Sequence, residues 1–461
     1  MKYISTRNNS KEYSFEEVFI KGLADDGGLF IPKTVKKYSK EELSALSDLS
    51  YRDLAKKIIF PFIGDFMSEN ELSDAVDRSY SVFRKDNTID LIKIGDTKIL
   101  ELFHGPTLAF KDIAMQLLGN LYEHYLQNNN NKNINVIVAT SGDTGAAAID
   151  AIKGKKNMNI FVLHPQNKIS TVQRKLMSTV KEGNVFNIAI EGNFDDCQNL
   201  VKSMFSDKDF SKSINMSGVN SINWARIIAQ SVYYFYSYFL IKDDGPINFS
   251  VPTGNFGDVY AGYLSKKMGL PINKFIVATN KNDILKRAMM SGKYEVETVS
   301  ETNSPSMDIQ IASNFERLIY DLNDGDDVKT KNIMKGIKEE GRYIISKEIL
   351  EKINKNFISA SLNEDEVLKV IKEVYEKYKI ILDPHSAIAF GVLKHKTNID
   401  GNNVVLATAH PCKFPDAIDN SIGIRPSLPE KLKYIMNEKE NYDIISNNLN
   451  TIKNHIKEKI K

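Results

Sequence analysis

The chain of 461 residues holds only two cysteines, Cys197 and Cys412, and one tryptophan, Trp224. Two thiols can build neither a disulfide framework nor a cysteine-rich zinc cluster, which points to a reducing, cytoplasmic setting. The seven histidines show no HxH or HxxxH spacing, so no metal centre is expected. An excess of one charge is also missing. Sixty-one basic and 59 acidic residues leave a net charge of +2, which excludes a polyanion-binding surface and a nucleic-acid partner. The longest apolar and aromatic run, 231–241, is far too short to span a bilayer and reads as a buried helix. The first ten residues are polar, so no secretory leader is expected, and no membrane association. No internal repeat is present. Only the run at 128–131 is low in complexity, and it reads as a loop.

What remains has the balance of an ordinary globular enzyme, with 42% hydrophobic and 26% charged residues and enough length for two or three cores. From residue 133 onward strands and helices alternate. Apolar β-rich runs at 134–139, 160–163 and 185–190 are separated by helices starting near Ala146, after Ser170 and around Asp196. Ser170-Thr171-Val172-Gln173 has the form of a capping box. The alternation resumes with strands at 247–251, 275–279 and 404–408 and helices at 259–269 and 364–377. This pattern predicts an α/β fold with parallel sheets and right-handed crossovers. Before residue 93 the texture changes to amphipathic helices at 39–59 and 69–84. The expected division is an N-terminal domain at 1–92, a large domain formed by 93–132 and 245–425, a smaller α/β domain at 133–244, and a helical tail at 426–461.

The run Leu102-Phe103-His104-Gly105-Pro106-Thr107-Leu108-Ala109-Phe110-Lys111-Asp112 places a lysine on an apolar, proline-broken turn at an expected helix start. Burial there lowers the amine's pKa and frees it to form a Schiff base. Gly254-Asn255-Phe256-Gly257-Asp258 follows a strand and opens a helix, where converging N–H groups cradle phosphate. On its own it reads as a plain β–α turn. Walker A is excluded, because no Gly-Lys-Ser/Thr follows, and the dinucleotide fingerprint is missing. Ser141-Gly142-Asp143-Thr144-Gly145 ends a strand where open α/β sheets bind ligands. Its hydroxyls, Asp143 and N–H groups could hold a substrate carboxylate and a cofactor's phenolic oxygen, or Ser141 or Asp143 could simply cap the helix. Thr408 could face a pyridine nitrogen or merely end its strand. Arginine is scarce beside lysine, so Arg226 is a candidate anion clamp as well as a candidate structural ion pair. Lys168 is a weaker anion candidate, and His104 and His410 are minor acid–base candidates. Together these motifs read as a pyridoxal 5'-phosphate enzyme.

In this order and spacing the chain resembles the threonine synthase family, within the tryptophan-synthase-β-like, fold-type II pyridoxal-phosphate enzymes. The likeness runs from Tyr3-Ile4-Ser5-Thr6-Arg7 and Gly27-Gly28-Leu29-Phe30 through the Lys111, Ser141 and Gly254 motifs. It continues through Asn220-Ser221-Ile222-Asn223-Trp224-Ala225-Arg226 and Asp383-Pro384-His385-Ser386-Ala387 to Thr408-Ala409-His410-Pro411-Cys412-Lys413-Phe414. The N-terminal extension resembles the longer bacterial and fungal type. The resemblance implies two parallel-sheet subdomains with a mostly helical N-terminal domain. It also implies Lys111 as the Schiff-base lysine, Gly254 to Asp258 as the cofactor's phosphate cradle, and Thr408 at the pyridine nitrogen. The implied reaction takes O-phospho-L-homoserine and water to L-threonine and phosphate in a cytoplasmic monomer or homodimer. Ser141, Gly142, Thr144, Arg226 and Lys168 are then the expected substrate contacts. Relatives often have Asn where this chain has Asp143, which changes the charge facing the cofactor's phenolic oxygen. A phospho-lyase releasing 2-oxobutyrate, ammonia and phosphate is the alternative, and a non-catalytic ligand sensor stands further off.

Overall fold

The computed structural model describes residues 1–129, 132–241 and 245–460. Asn130 and Asn131, half of the expected loop at 128–131, lie outside them. Two parallel sheets organise the chain. The larger has six strands in the order Phe357–Ser361, Ile272–Thr279, Ile247–Pro252, Asn402–Ala407, Thr97–Glu101 and Asp90–Ile94. Only its last pair is antiparallel. The smaller has five strands, all parallel, in the order Asp443–Ser446, Val185–Glu191, Met158–Pro165, Ile134–Ala139 and Met216–Ser217. Strands buried on both faces read as continuous apolar runs, and Ile134–Ala139 and Ile247–Pro252 were visible in the sequence for that reason.

Three features depart from the expected division. The edge strand Asp90–Ile94 crosses the boundary placed at 92/93 and belongs to the large sheet. Beside helices such as Tyr51–Ile63 and Glu69–Tyr80, the N-terminal segment holds an antiparallel sheet of Asn8–Tyr13, Tyr3–Ser5 and Phe30–Pro32. The tail is not wholly helical: Asp443–Ser446 joins the small sheet as its edge strand before the helix Leu449–Lys459. Strands of three to six residues carry too little periodicity to stand out in a chain of this length.

Helix starts follow local chemistry. Ser14, Ser39, Ser68, Asn193 and Asn363 each form a reciprocal capping box with the acidic residue three positions on. Ser170 forms only half of its expected box. It accepts the Gln173 N–H, but the Gln173 side chain turns away to Asp143, 2.9 Å distant. The run 231–241 falls largely within the buried helix Trp224–Leu240. Among the described residues no helix is long and apolar enough to cross a membrane.

Candidate active site

The carboxyl ends of both sheets open on one cavity of about 160 Å³. Strand Ile134–Ala139 delivers Ser141, Asp143 and Thr144 to it. Strand Ile247–Pro252 delivers Gly254 to Asp258, and strand Asn402–Ala407 delivers Thr408. Lys111 reaches the same space from the first position of helix Lys111–Asn128.

The turn before Lys111 is stitched to the end of the Thr408 strand. The Phe110 N–H donates to the Thr408 carbonyl at 2.8 Å, and the His410 N–H to that of Leu108 at 3.0 Å. Asp112 reaches back to accept from the Thr107 N–H and hydroxyl, at 2.8 and 2.5 Å. Lysine and cofactor-ring candidate are therefore held in one rigid piece. Lys111 Nζ lies 3.4 Å from both Asp143 Oδ2 and Ser306 Oγ, and 4.9 Å from the Phe110 ring centre. Burial pulls its pKa below the ordinary amine value. The Asp143 carboxylate opposes that pull, and the Lys413 and Arg226 charges reinforce it.

Lys413 is a site residue the motif reading passed over. It is fully buried, and its Nζ lies 2.7 Å from Asp143 Oδ1 and donates to the Thr107 carbonyl at 2.8 Å. Burial alone would raise the Asp143 pKa, but the Lys413 and Lys111 charges outweigh it and hold the group well below the usual carboxylate range. Asp143 thus stands as a carboxylate between two cations, which offsets the charge that distinguishes it from Asn. Its loop is shaped by Thr140, whose Oγ1 accepts the N–H groups of Gly142 and Gly145 at 2.9 and 2.8 Å.

The Gly254 loop has the features of a phosphate cradle. A Cβ on Gly254 would sit 2.8 Å from the Ser306 carbonyl oxygen, and Phe256 holds a left-handed φ of 63°. Among the described residues no side chain caps helix Gly257–Lys267, and its first residues line the cavity, with the positive end of the dipole uncovered there. Asp258 is buried, and Tyr233 and Tyr234 both donate to its Oδ1. Burial raises its pKa to about 6, with the two tyrosine hydrogen bonds and the Lys111 charge pulling the other way.

Four buried polar atoms belonging to residues that line the cavity have no hydrogen-bond partner among the described residues: Arg226 Nε, Gln230 Oε1, Asp258 Oδ2 and His385 Nε2. Such atoms are costly unless a polar ligand meets them. A phosphorylated ring with a hydroxyl and a nitrogen fits these walls: an open helix N-terminus, a buried amine, a carboxylate with its counter-ions, and Thr408. Arg226 makes no ion pair among the described residues. The one hydrogen bond of its guanidinium among the described residues goes to the Val219 carbonyl at 3.1 Å, which argues against a structural ion pair.

Not every expected residue arrives. Lys168 is exposed on the turn after strand Met158–Pro165 and does not line the cavity. Gly142 is absent from the lining too, with its N–H spent on Thr140. His104 pairs with Glu101 at 2.9 Å. His410 caps the turn Pro411–Lys413, its pKa lowered to about 4 chiefly by burial. Neither lines the cavity. The histidine that does is His385, which the sequence offered only inside a longer motif. Cys412 is buried with its thiol pushed up to about 12, mainly by burial, as suits a packed residue.

Three family profiles match in series. "Threonine synthase N terminus" covers residues 2–80, "Pyridoxal-phosphate dependent enzyme" residues 100–409, and "Threonine synthase, C-terminal" residues 386–456. A threonine synthase from Pseudomonas aeruginosa is 41% identical over 97% of this chain and 96% of its own. One from Saccharomyces cerevisiae is 43% identical over 99% and 98%. The crystal structure of a pyridoxal-phosphate-bound threonine synthase from Brucella melitensis superposes with a TM-score of 0.96 at 43% identity, covering all of both chains.

Proposed function

The chain belongs to the threonine synthase family of pyridoxal-phosphate-dependent lyases, and from that premise we propose that its cavity turns O-phospho-L-homoserine and water into L-threonine and phosphate. The observation that carries this reading is the buried Lys111 amine, set among partnerless polar atoms and facing an open helix N-terminus. Family membership sets aside the non-catalytic sensor.

We assign Lys111 as the residue that anchors the cofactor and afterwards moves protons at the substrate. Gly254, Asn255, Phe256, Gly257 and Asp258 hold the cofactor's phosphate. Thr408 meets the pyridine nitrogen through a hydroxyl, and Asp143 faces the phenolic oxygen. Bound there, pyridoxal phosphate supplies an electron sink for negative charge at the substrate's Cα. Lys111 Nζ takes the Cα proton, and its lowered pKa keeps the amine ready to accept one. A Cβ proton is then moved to Cγ as phosphate leaves that carbon, so that the double bond comes to lie between Cα and Cβ. Ser141, Thr144 and Arg226 are the groups we assign to the substrate's carboxylate and phosphate. Arg226 is the strongest of them, because its buried guanidinium still has a free donor. We further infer that 90–132 with 245–425 form one unit and 133–244, with the tail strand Asp443–Ser446, the other, the cavity lying at the ends of both sheets. The two free, buried cysteines support a cytoplasmic reaction.

The deciding experiment is product analysis of the holoenzyme on O-phospho-L-homoserine. Threonine equal to phosphate is expected. Phosphate matched by 2-oxobutyrate instead would establish the lyase, and release of neither would discard the substrate.

A further inference from the structure

We propose that Asp383 and His385 form the second proton carrier of the site, with His385 Nε2 taking the proton from the water that adds at the substrate's Cβ. This rests on the synthase reading above.

Asp383 caps helix Pro384–Lys396. Its Oδ1 accepts from the His385 N–H and from ring Nδ1, both at 2.9 Å. Its Oδ2 accepts from the Ser386 N–H at 3.3 Å and from the Ser386 hydroxyl. A carboxylate with no exposed surface and four donors can only accept. That holds the proton on Nδ1 and leaves Nε2 as the free nitrogen. The ring packs on Phe414 at 4.9 Å between centres, which restrains it from swinging. His385 lines the cavity, and its buried Nε2 meets no partner among the described residues. The same cap reaches the cofactor wall, since the Thr408 N–H donates to Ser386 Oγ at 3.3 Å.

The chemistry needs such a group. Once phosphate has left, Lys111 must deliver a proton to Cα as a water proton leaves at Cβ, and one amine cannot give and take together. The balanced step uses two carriers. The water oxygen bonds to Cβ while its O–H bond breaks, and that proton moves to Nε2. The π pair of the Cα–Cβ double bond shifts to Cα and takes a proton from the Lys111 ammonium. The proton on Nε2 then passes to the phosphate already freed from Cγ, before it quits the cavity. A lyase that lets the unsaturated chain escape and hydrolyse needs no second carrier, so His385 decides between the two outcomes.

The test compares wild-type, His385→Asn and Asp383→Asn holoenzymes on O-phospho-L-homoserine, scoring threonine, 2-oxobutyrate and phosphate beside the cofactor's absorption band. The Asn side chain at 385 keeps a donor near the Nδ1 position but has no Nε2. Asn at 383 keeps the helix cap but removes the acceptor-only partner that fixes the tautomer. Expected in both variants is an unchanged cofactor band, continued phosphate release, and threonine per phosphate reduced at least about tenfold in favour of 2-oxobutyrate. A wild-type ratio in His385→Asn would overturn the assignment. So would joint loss of cofactor band and phosphate release in both variants, which would make the pair structural. Phosphate without threonine from the wild type would overturn the synthase reading instead.

Discussion

Two buried carboxylates on the cavity wall have opposite linkage to stability. Asp143 is held below its unfolded pKa, so its contribution is complete above the ordinary carboxylate range and disappears as pH falls through and below it. Asp258 is raised to about 6, so it costs stability as pH rises from about 4 to about 6, by at most ~3 kcal/mol. In apoenzyme, Asp258→Asn should remove that loss: the variant's melting temperature gains on the wild type between pH 4 and 6 and holds its lead above. A constant difference across the range would refute the raised pKa. Lys413→Gln should destabilise the fold at neutral pH by about 3 kcal/mol or somewhat more, because Asp143 is left buried with only the longer Lys111 contact. An unchanged denaturant midpoint would show that the pair carries no net stability. Lys111, Thr408 and the Gly254 loop were legible because each depends on neighbours a few residues away. Lys413 and His385 were not, since their roles come from Asp143, far away in the chain, and from a cap geometry that only the folded helix displays.

Among elements, helix ends carry the function. The helix after the Gly254 loop starts without a side-chain cap and with Phe256 left-handed, where most helices of this chain begin on Ser, Asn or Asp. Closing that end should weaken both the cofactor's hold and the fold. Gly254→Ala puts a methyl 2.8 Å from the Ser306 carbonyl, so the backbone of one of the two loops must give way. The expected result is about 1–3 kcal/mol lost from the apoenzyme's stability, together with a cofactor dissociation constant raised roughly tenfold or more. Equal cofactor affinity would mean the loop does not bear on the phosphate. The same end-of-element logic limits what sequence shows. Helix Glu364–Tyr378 lies almost where its periodicity placed it, with Asn363 and Glu366 closing the box. Gln173 fulfils its capping pattern only halfway, because a buried carboxylate from the neighbouring loop competes for its amide.

At the scale of the whole chain, the two sheets are joined through one apolar core rather than hinged on a polar seam. Val136, Val138, Ile160 and Val162 on one face of the small sheet share a cluster with Trp224, Phe249 and Val251. The opposite face, with Ile137, Phe161, Leu163 and Ile188, is closed by Ile445, Ile452 and Ile456 of the tail. The tail is thus part of the small sheet's core, which its short strand and lysine-rich helix concealed in the sequence. Arg7 and Glu316, paired at 2.7 Å, similarly bind the N-terminal sheet to helix Phe315–Leu322 across 309 residues, a contact no local pattern announces. Continuity of the core predicts cooperativity. Ile452→Ala removes a fully buried side chain at a cost of about 2–5 kcal/mol. The sole tryptophan sits in the other cluster, so its fluorescence reports whether that loss is shared. If the sheets unfold as one unit, the Trp224 transition and the far-ultraviolet dichroism should move together to lower denaturant. A tryptophan transition left in place while the dichroism shifts would show the small sheet melting alone, and the shared cluster would then be too weak to couple them.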